Sequence, residues 1–183
     1  MKYLSKMKGE GKRPAGADLQ EIIWSWAGAF AGIALVGYLH EALVSGSTLI
    51  MLIESFGASA VLIYGAPKSP LAQPRNLLGG HFFSALVGVA CIHIFDPAIW
   101  LAAAVAVATA IALMHLTRTL HPPGGATALI AIIDPDAGAS AGFWFALAPV
   151  LTGALIMLAV ALIVNNIPAS RRYPEFWWQN HQG

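Results

Sequence analysis

Long apolar runs separated by short polar stretches dominate the chain. Five of them are long enough to cross a bilayer as helices: residues 22–39, 48–65, 79–95, 98–116 and 143–164. A helix rises about 1.5 Å per residue, so roughly 20 apolar residues cross a hydrocarbon core of about 30 Å. A sixth run, 124–133, is only half as long unless residues 120–123 also lie at membrane depth. The pattern predicts an all-α membrane protein with about six transmembrane helices.

Composition agrees with a membrane location. Hydrophobic residues make up 57% of the chain and charged residues only 10%, whereas soluble domains carry about a quarter charged residues. The first apolar run follows the polar, basic residues 1–21 and is longer than a signal-peptide core, so we predict a retained first helix. The single cysteine, Cys91, leaves no intramolecular disulfide.

Positive charge decides between two topologies. If all six runs cross, the ten Lys and Arg residues all fall on one side. The opposite loops then carry acidic residues: Glu41, Asp96, Asp134 and Asp136. If 124–133 turned back instead, Arg171 and Arg172 would move to the other side. Because cytoplasmic loops are enriched in Lys and Arg, we predict six crossings, with the tails 1–21 and 167–183 both in the cytoplasm of a bacterial inner (plasma) membrane.

The chain carries an internal echo at a spacing of 68 residues. Residues 57–63 (GASAVLI) lie over residues 125–131 (GATALIA), and Pro67 then lies over Pro135. With six crossings, the two echoed segments run in opposite directions. The echo therefore predicts that the transmembrane domain, 22–166, consists of two inverted three-helix repeats, 22–95 and 98–164, with short or broken middle helices. Chance recurrence of small residues in membrane helices is the alternative, and the residues alone leave both open.

Both echoed segments begin a short helix next to glycine. Pro122 and Pro123 mark one helix start, because proline is suited to the first turn. A helix start exposes unpaired N–H groups and a partial positive charge, and glycine lets a small solute approach the backbone. Two opposed starts near the midplane would bind a small anion. The candidate binding residues are Gly57, Ala58, Ser59, His121, Gly124, Gly125, Ala126 and Thr127.

Close helix packing is the alternative role for these glycines. It is the role that we predict for Gly28 and Gly32, which have the four-residue spacing of small residues at membrane helix interfaces. His121 has a second role open to it as well, that of capping the helix that begins at Pro122.

Two further ionisable residues are candidates for gating or proton coupling. Glu54 lies within the second run, where it would either carry a proton or hydrogen-bond to a neighbouring helix, and an ionised Glu54 would repel an anion. His81 begins the third run and would face the same vestibule as His121. We also predict a cytoplasmic pore mouth at Arg75 and Asn76, with positive-inside charge and helix capping as the alternatives. The histidines lack the helical spacing of metal motifs, so no metal or cofactor is expected.

Several motifs in a fixed order resemble the HPP family of membrane proteins. They are FGASAVL at 56–62, GAP at 65–67, PLAQPRN at 70–76, GGH at 79–81 and LHPPGGATA at 120–128. The last contains the His-Pro-Pro motif after which the family is named, and the similarity extends over about 22–164. The resemblance implies a transporter-like membrane domain, and members in plant plastids and cyanobacteria are associated with nitrite transport.

The functional prediction is a channel or secondary transporter for a small monovalent anion, nitrite being the substrate that the resemblance implies. An intramembrane hydrolase is an alternative, for which Ser55 or Ser59 with His121 is the plausible set, but no nucleophile-elbow motif is present. A membrane sensor or assembly subunit is another, although the tails are short. The expected partners are the inorganic anion and membrane lipid, with a homo-oligomer left open and no nucleic acid. We expect no enzymatic activity.

Overall fold

The computed structural model describes residues 3, 6–8, 11, 16–44 and 53–177, which contain helices and no β-strand. Short 3₁₀ turns occupy Lys6–Lys8 and Pro70–Ala72, and wide π-helical turns occupy Pro135–Ser140 and Ala146–Leu151. Within the described residues, the α-helices are α1 (Leu19–Val44), α2 (Glu54–Gly65), α3 (Pro74–Phe95), α4 (Ile99–Thr117), α5 (Pro123–Ile133) and α6 (Thr152–Val164).

Helix length divides the bundle into two groups. The helical segments that are long and apolar enough to cross a membrane are Leu19–Leu43, Pro74–Phe95, Ile99–Thr117 and Ala146–Val164. α2 and α5 have only 12 and 11 residues, so each extends about 16–18 Å. The prediction of an all-α membrane protein with short helices in addition to its spans is confirmed. Six crossings and the inverted repeat stay predictions.

Several predicted helix boundaries differ from those in the structure, and α3, for example, begins at Pro74 instead of residue 79. α1 begins at Leu19, three residues early, because the Asp18 carboxylate accepts a hydrogen bond from the Glu21 N–H at 2.8 Å and caps the helix. In the run predicted from residue 48, Ile53 is extended and a helix begins at Glu54, while residues 48–52 lie outside the described part. The span predicted over 143–164 contains a break, since Ala148 is extended (φ −135°, ψ 118°) before Pro149, and its part that is long enough to cross a membrane is Ala146–Val164.

α3 lies at the centre of the bundle. It packs against α4, α5 and α6, while α1 packs against α2 and α6. Small residues allow the closest contacts: Ala102, Ala106 and Ala110 form one buried face of α4. At Gly88 on α3, an added Cβ atom would lie 2.5 Å from the carbonyl oxygen of Ala128, so α3 and α5 touch backbone to backbone.

The packing role predicted for Gly28 and Gly32 is confirmed. An added Cβ atom would lie 2.7 Å from Cδ1 of Tyr64 at Gly28 and would meet the Tyr64 hydroxyl at Gly32. The tyrosine ring therefore fills a notch in α1 that only glycine provides. Its hydroxyl donates to the carbonyl of Met157 at 3.0 Å, which joins α1, α2 and α6.

One end of the bundle is held by a buried arginine. Arg171 forms an ion pair with Glu21 at 2.8 Å and donates to Oδ1 of Asn165 at 3.0 Å. The Asn165 side-chain amide donates to the carbonyl of Ile63 at 2.9 Å. The start of α1 and the ends of α2 and α6 therefore lie together. We call this the arginine end.

The start of α3 lies at the arginine end too, because the Glu175 N–H donates to Oε1 of Gln73 at 2.9 Å. The end of α4 lies beside it, since the Arg75 guanidinium donates to the carbonyl of Thr117. Asp96, which follows α3, and Asp134, which follows α5, lie at the opposite, acidic end. There a cavity of about 300 Å³ is lined by His93, Asp96 and residues after α5. Arg75 and Arg171 therefore lie at the opposite end of the bundle from Asp96 and Asp134. The side of the membrane that each end faces stays a prediction.

We predict that the arginine end faces the cytoplasm. With Cys91→Ala as background, two exposed serines allow a matched test: Ser170→Cys at the arginine end and Ser140→Cys at the acidic end. In oriented membranes, a membrane-impermeant maleimide should label Ser170→Cys only from the cytoplasmic side and Ser140→Cys only from the other. Labelling of both from one side would contradict the prediction.

Candidate functional site

The two short helices cross beside α3. α2 runs toward the arginine end, where Gly65 lies near the α6 terminus, and α5 runs away from it, toward Asp134 at the acidic end. α5 contacts both α2 and α3. The first two turns of these antiparallel helices therefore face each other, and polar side chains fill the space between them.

Five polar side chains meet at this crossing and none has any solvent-exposed surface. We call them the imidazole–hydroxyl cluster. Two come from α2, one from α3, one from the segment before α5 and one from α5: Ser55, Ser59, His81, His121 and Thr127. Since water is excluded, these polar groups have to satisfy one another's hydrogen bonds.

Ser59 bridges the two imidazoles. Its Oγ atom lies 2.7 Å from Nε2 of His81 and 2.9 Å from Nε2 of His121. On the other side of the His81 ring, Nδ1 lies 2.7 Å from Oγ1 of Thr127. The two hydroxyls that occupy equivalent positions of the sequence echo thus bind opposite nitrogens of one imidazole.

The line of hydrogen bonds has a defined end on each side. Thr127 donates to Oγ of Ser55 at 2.9 Å, and Nδ1 of His121 lies 2.9 Å from the carbonyl oxygen of Leu71. A carbonyl oxygen only accepts, so Nδ1 of His121 carries a hydrogen. Five contacts therefore connect the Leu71 carbonyl, at the arginine end, to Ser55 near the start of α2.

Local sequence explains why these side chains converge. Ser55 and Ser59 are four residues apart and lie on one face of α2. His121 precedes Pro122 and lies outside a helix, since a residue before proline disfavours the helical conformation. The Leu71 carbonyl is positioned by the turn Pro70–Ala72, in which the Leu71 N–H donates to the Ser69 hydroxyl oxygen at 3.3 Å.

Glycines bring the segment that contains His121 against α3. An added Cβ atom at Gly80 would lie 2.4 Å from Cβ of His121, and one at Gly124 would lie 2.8 Å from the Gly80 carbonyl oxygen. No larger residue allows this approach. The GGH and HPPGG motifs therefore form the two sides of one contact, and Gly124 has the packing role that we gave as the alternative to binding.

Aromatic rings complete the surroundings of the imidazoles. The Phe56 ring meets His81 edge to face with centroids 5.3 Å apart, and the rings of His81 and His121 are 5.0 Å apart. In the described part of the chain, no carboxylate pairs with either imidazole.

Other predicted binding residues lie on the outer side of the crossing. An added Cβ atom would meet nothing within 4 Å at Gly57 and only Cγ1 of Val107, at 3.9 Å, at Gly125. These two glycines therefore leave their backbone open on the outer side of the crossing, away from the cluster, and their role in binding stays a prediction. Ala58 and Ala126 line an apolar groove of about 410 Å³ between α2 and α5.

From the sequence we expected Glu54 to lie within a buried segment, but the structure places it at the exposed start of a helix. Because Ile53 is extended (φ −89°, ψ 146°), α2 begins at Glu54, whose side chain is exposed while that of the adjacent Ser55 enters the cluster. The structure therefore does not bring Glu54 into the hydrogen-bonded line. His81 lies at its centre rather than in an open vestibule.

The two predicted pore-mouth residues join α3 to the segment after α4. The Asn76 side-chain amide donates to the carbonyl of Leu120 at 2.8 Å and does not cap its own helix. Arg75 lines a cavity of about 550 Å³ with Thr117 and Trp177 among others. Two buried oxygens on α3 have no partner: Oδ1 of Asn76 and Oγ of Ser84. They lie on either side of His81 along the helix.

Sequence reasoning missed part of this site. Ser55 was considered only as a nucleophile, although its four-residue spacing from Ser59 was a usable signal. No sequence signal identified the Leu71 carbonyl, since any residue offers one. Among the described residues, no three His, Cys, Asp or Glu side chains come together as metal ligands.

The profile of the HPP transmembrane region matches residues 14–174. This chain belongs to the HPP family. His121, Pro122 and Pro123 are its His-Pro-Pro motif, and the structure places the histidine of that motif in the cluster. The family and the apolar helices together make the chain an integral membrane protein.

Two relatives of this HPP protein come from Dictyostelium discoideum, and both are described only as transmembrane proteins. One is 49% identical over 182 residues and the other 47% identical over 184 residues. The alignments cover 97% of this chain but only 58% and 64% of the relatives, so the chain spans about three fifths of their length. No solved structure matches it.

Adjacent glycines give a test of the packing at the site. Gly124→Ala should lower the free energy of unfolding by about 1–3 kcal/mol, because the new methyl group would lie 2.8 Å from both the Gly80 carbonyl oxygen and Oγ of Ser84. Gly125→Ala is the matched control and should leave stability unchanged or slightly higher. Denaturant titration in detergent would measure both, and equal stability of the two variants would contradict this packing.

Proposed function

We propose that this HPP protein is a channel or secondary transporter for a small monovalent anion, with nitrite as the first substrate to test, and that protons accompany the anion. The imidazole–hydroxyl cluster carries this proposal. It combines two imidazoles and three hydroxyls in a water-free site, between helices whose backbone N–H ends flank it.

The chemistry of the cluster favours an anion over a cation. Hydroxyls and imidazole N–H groups donate hydrogen bonds, and the first turns of α2 and α5 add the positive ends of two helix dipoles. A cation site would need carboxylates or clustered carbonyls, and the described cluster contains one carbonyl, that of Leu71. We assign anion binding to the inner residues Ser59, His121 and Thr127.

A proton would lower the free-energy cost of moving the anion through the bundle. Histidine is the side chain that most readily gains a proton near neutral pH, and an imidazolium beside an anion forms a neutral pair. A neutral pair costs less to hold within a low-dielectric bundle than a lone charge does. We therefore assign proton coupling to His81 together with His121, and we propose that Glu54 tunes the charge at the outer start of α2.

The inverted repeat is part of the proposal. Its support is that α2 and α5 run antiparallel and that Ser59 and Thr127, which are equivalent in the 68-residue echo, bind the two nitrogens of His81. A pseudo-two-fold axis near that imidazole would relate them. Gating would then consist of separating α2 from α5, which would open the groove lined by Ala58 and Ala126 to the cluster.

Entry from the arginine end is proposed to pass Arg75 and Asn76. The guanidinium would attract the anion, and the two unpartnered oxygens on α3, Oδ1 of Asn76 and Oγ of Ser84, would bind water or solute along the path. We propose that this end is cytoplasmic in an inner membrane. In this proposal, lipid surrounds the outward-facing apolar side chains. Homo-oligomers are a possible form of the protein, and a single chain already contains the whole cluster.

A second function has one observation in its favour. Oγ of Ser59 lies 2.9 Å from Nε2 of His121, whose other nitrogen is oriented by the Leu71 carbonyl, an arrangement similar to a serine hydrolase dyad. However, His81 binds the same oxygen, and Ser59 is completely buried. We therefore propose that the protein is not an enzyme. Covalent labelling of Ser59 by a fluorophosphonate would favour hydrolysis instead.

Nitrite uptake into liposomes that contain only this protein tests the proposed function. Thr127→Val keeps the side-chain shape but leaves Nδ1 of His81 and Oγ of Ser55 without their partner. It should reduce uptake on the order of tenfold, which corresponds to about 1.4 kcal/mol. The matched control is Thr109→Val on the exposed face of α4, which should transport like the wild type. No uptake above empty liposomes, or uptake of cations only, would refute anion transport.

A further inference from the structure

The hydrogen bonds of the imidazole–hydroxyl cluster allow its hydrogens to be counted. We infer that the cluster is a storage site for a single proton, which moves between His121 and His81 through the hydroxyl of Ser59. The storage site stands on geometry alone. Its use as the coupling site for an anion rests on the proposed function.

The count begins with five contacts, each of which needs one hydrogen. They join the Leu71 carbonyl to His121, His121 to Ser59, Ser59 to His81, His81 to Thr127, and Thr127 to Ser55. Thr127 donates to Ser55, so the hydrogen of Ser55 lies outside the line. Two neutral imidazoles and two hydroxyls supply one hydrogen each, which makes four. With Thr127 donating to Ser55, one imidazole therefore carries a second hydrogen, and this arrangement is the loaded state of the cluster.

Either imidazole can hold this extra proton without moving a heavy atom. When His121 holds it, Nε2 of His121 donates to Ser59, and Ser59 donates to Nε2 of His81. When His81 holds it, Nε2 of His81 donates to Ser59, and Ser59 donates to Nε2 of His121. All five hydrogen bonds are present in both states.

The exchange between these states is a balanced double transfer. The N–H bond at Nε2 of His121 breaks while an O–H bond forms at Ser59. The original O–H bond of Ser59 breaks while an N–H bond forms at Nε2 of His81. The charge thus moves from one ring to the other, and Ser59 ends with one hydrogen, as it began. Contacts of 2.9 and 2.7 Å are short enough for such a transfer.

Without the extra proton, the cluster can also form all five of its hydrogen bonds. If the hydroxyl of Ser55 rotates and donates to Thr127, Thr127 donates to Nδ1 of His81, and Nε2 of His81 donates to Ser59. Ser59 then donates to His121, whose Nδ1 hydrogen stays on the Leu71 carbonyl. Loss of the proton from Nδ1 of the charged His81 therefore reverses two bonds, His81 to Thr127 and Thr127 to Ser55, and otherwise needs only rotation of these two hydroxyls. Ser55 is the residue whose orientation distinguishes loaded from unloaded.

A second proton is disfavoured by charge and by hydrogen bonding. Two imidazolium rings would have centroids 5.0 Å apart with no carboxylate between them. Both Nε2–H groups would then point at Ser59, whose own hydrogen would have no acceptor in the line. The capacity of the cluster is therefore one proton.

Titratable groups on the packed elements do not alter this count, because each has another environment. On α2, Glu54 is exposed and Tyr64 donates to Met157. On α3, Arg75 donates to Thr117, Cys91 lies in a separate apolar cluster and His93 is exposed. On α4, His115 is exposed, and α5 and α6 contribute no titratable side chain.

The two proton positions differ in depth. His121 contacts the Leu71 carbonyl in the turn at the arginine end, whereas His81 contacts Thr127, which leads to Ser55 near the start of α2. Transfer through Ser59 therefore carries a proton from the arginine end into the interior. If the proposed function holds, one proton would accompany each anion, and Ser59 would be the positioning residue that links the two rings.

The test is ¹⁵N NMR of histidine side chains in untagged protein in lipid nanodiscs, without added anion, over a pH titration. His81→Asn and His121→Asn assign the signals. We expect the two rings together to take up one proton per chain, with both rings showing exchange-averaged shifts between imidazole and imidazolium. Ser59→Ala should localise the proton on one ring, so that one charged and one neutral ring are resolved.

Two matched variants complete the design. Ser59→Thr retains a hydroxyl and should restore averaging, and Ser84→Ala removes a buried serine hydroxyl outside the cluster and should leave the wild-type spectrum. Two neutral rings throughout the titration, uptake of two protons, or averaging that survives Ser59→Ala would overturn the inference. The NMR experiment contains no anion, so its result is independent of nitrite transport. The proton site can be confirmed even if the liposomes show no nitrite flux, and nitrite flux can be confirmed even if the proton site is refuted.

Discussion

A membrane bundle offers buried polar groups no water, and the structure depends on how this HPP protein meets that constraint. At the crossing of α2, α3 and α5, three hydroxyls, two imidazoles and one backbone carbonyl satisfy one another in a continuous line. The line forms only because Gly80 and Gly124 allow backbone contact beside His121. The hydrogen bonds of the cluster therefore depend on the close packing of α3 against the segment that contains His121.

The same arrangement explains why two helices are short. α2 and α5 are each long enough for only about half of a bilayer, and residues 119–121, which precede α5, are not helical. His121 belongs to this segment, where its side chain can reach both the Leu71 carbonyl and Ser59. A continuous helix would have used the same backbone for internal hydrogen bonds and placed the ring elsewhere. The broken helices are thus the structural origin of the cluster.

Much of the fold and part of the site could be predicted from the sequence. Apolar runs predicted the spans, and the echo singled out Ser59 and Thr127 as equivalent hydroxyls, which the structure places on one imidazole. The run of residues 143–164 hid a break at Ala148, since hydropathy is insensitive to proline. Which glycines face inward was not predictable, because it depends on helix rotation. The outward positions of Gly57 and Gly125 follow from that rotation.

The central claim is that the anion travels with a proton held by the imidazoles, and the driving force of nitrite uptake tests it most directly. In liposomes, an inward proton gradient with the membrane potential clamped to zero should drive accumulation of tracer nitrite. A membrane potential imposed at equal pH should drive none, because the cotransported pair is neutral. Accumulation that follows the potential and ignores the pH gradient would contradict the account.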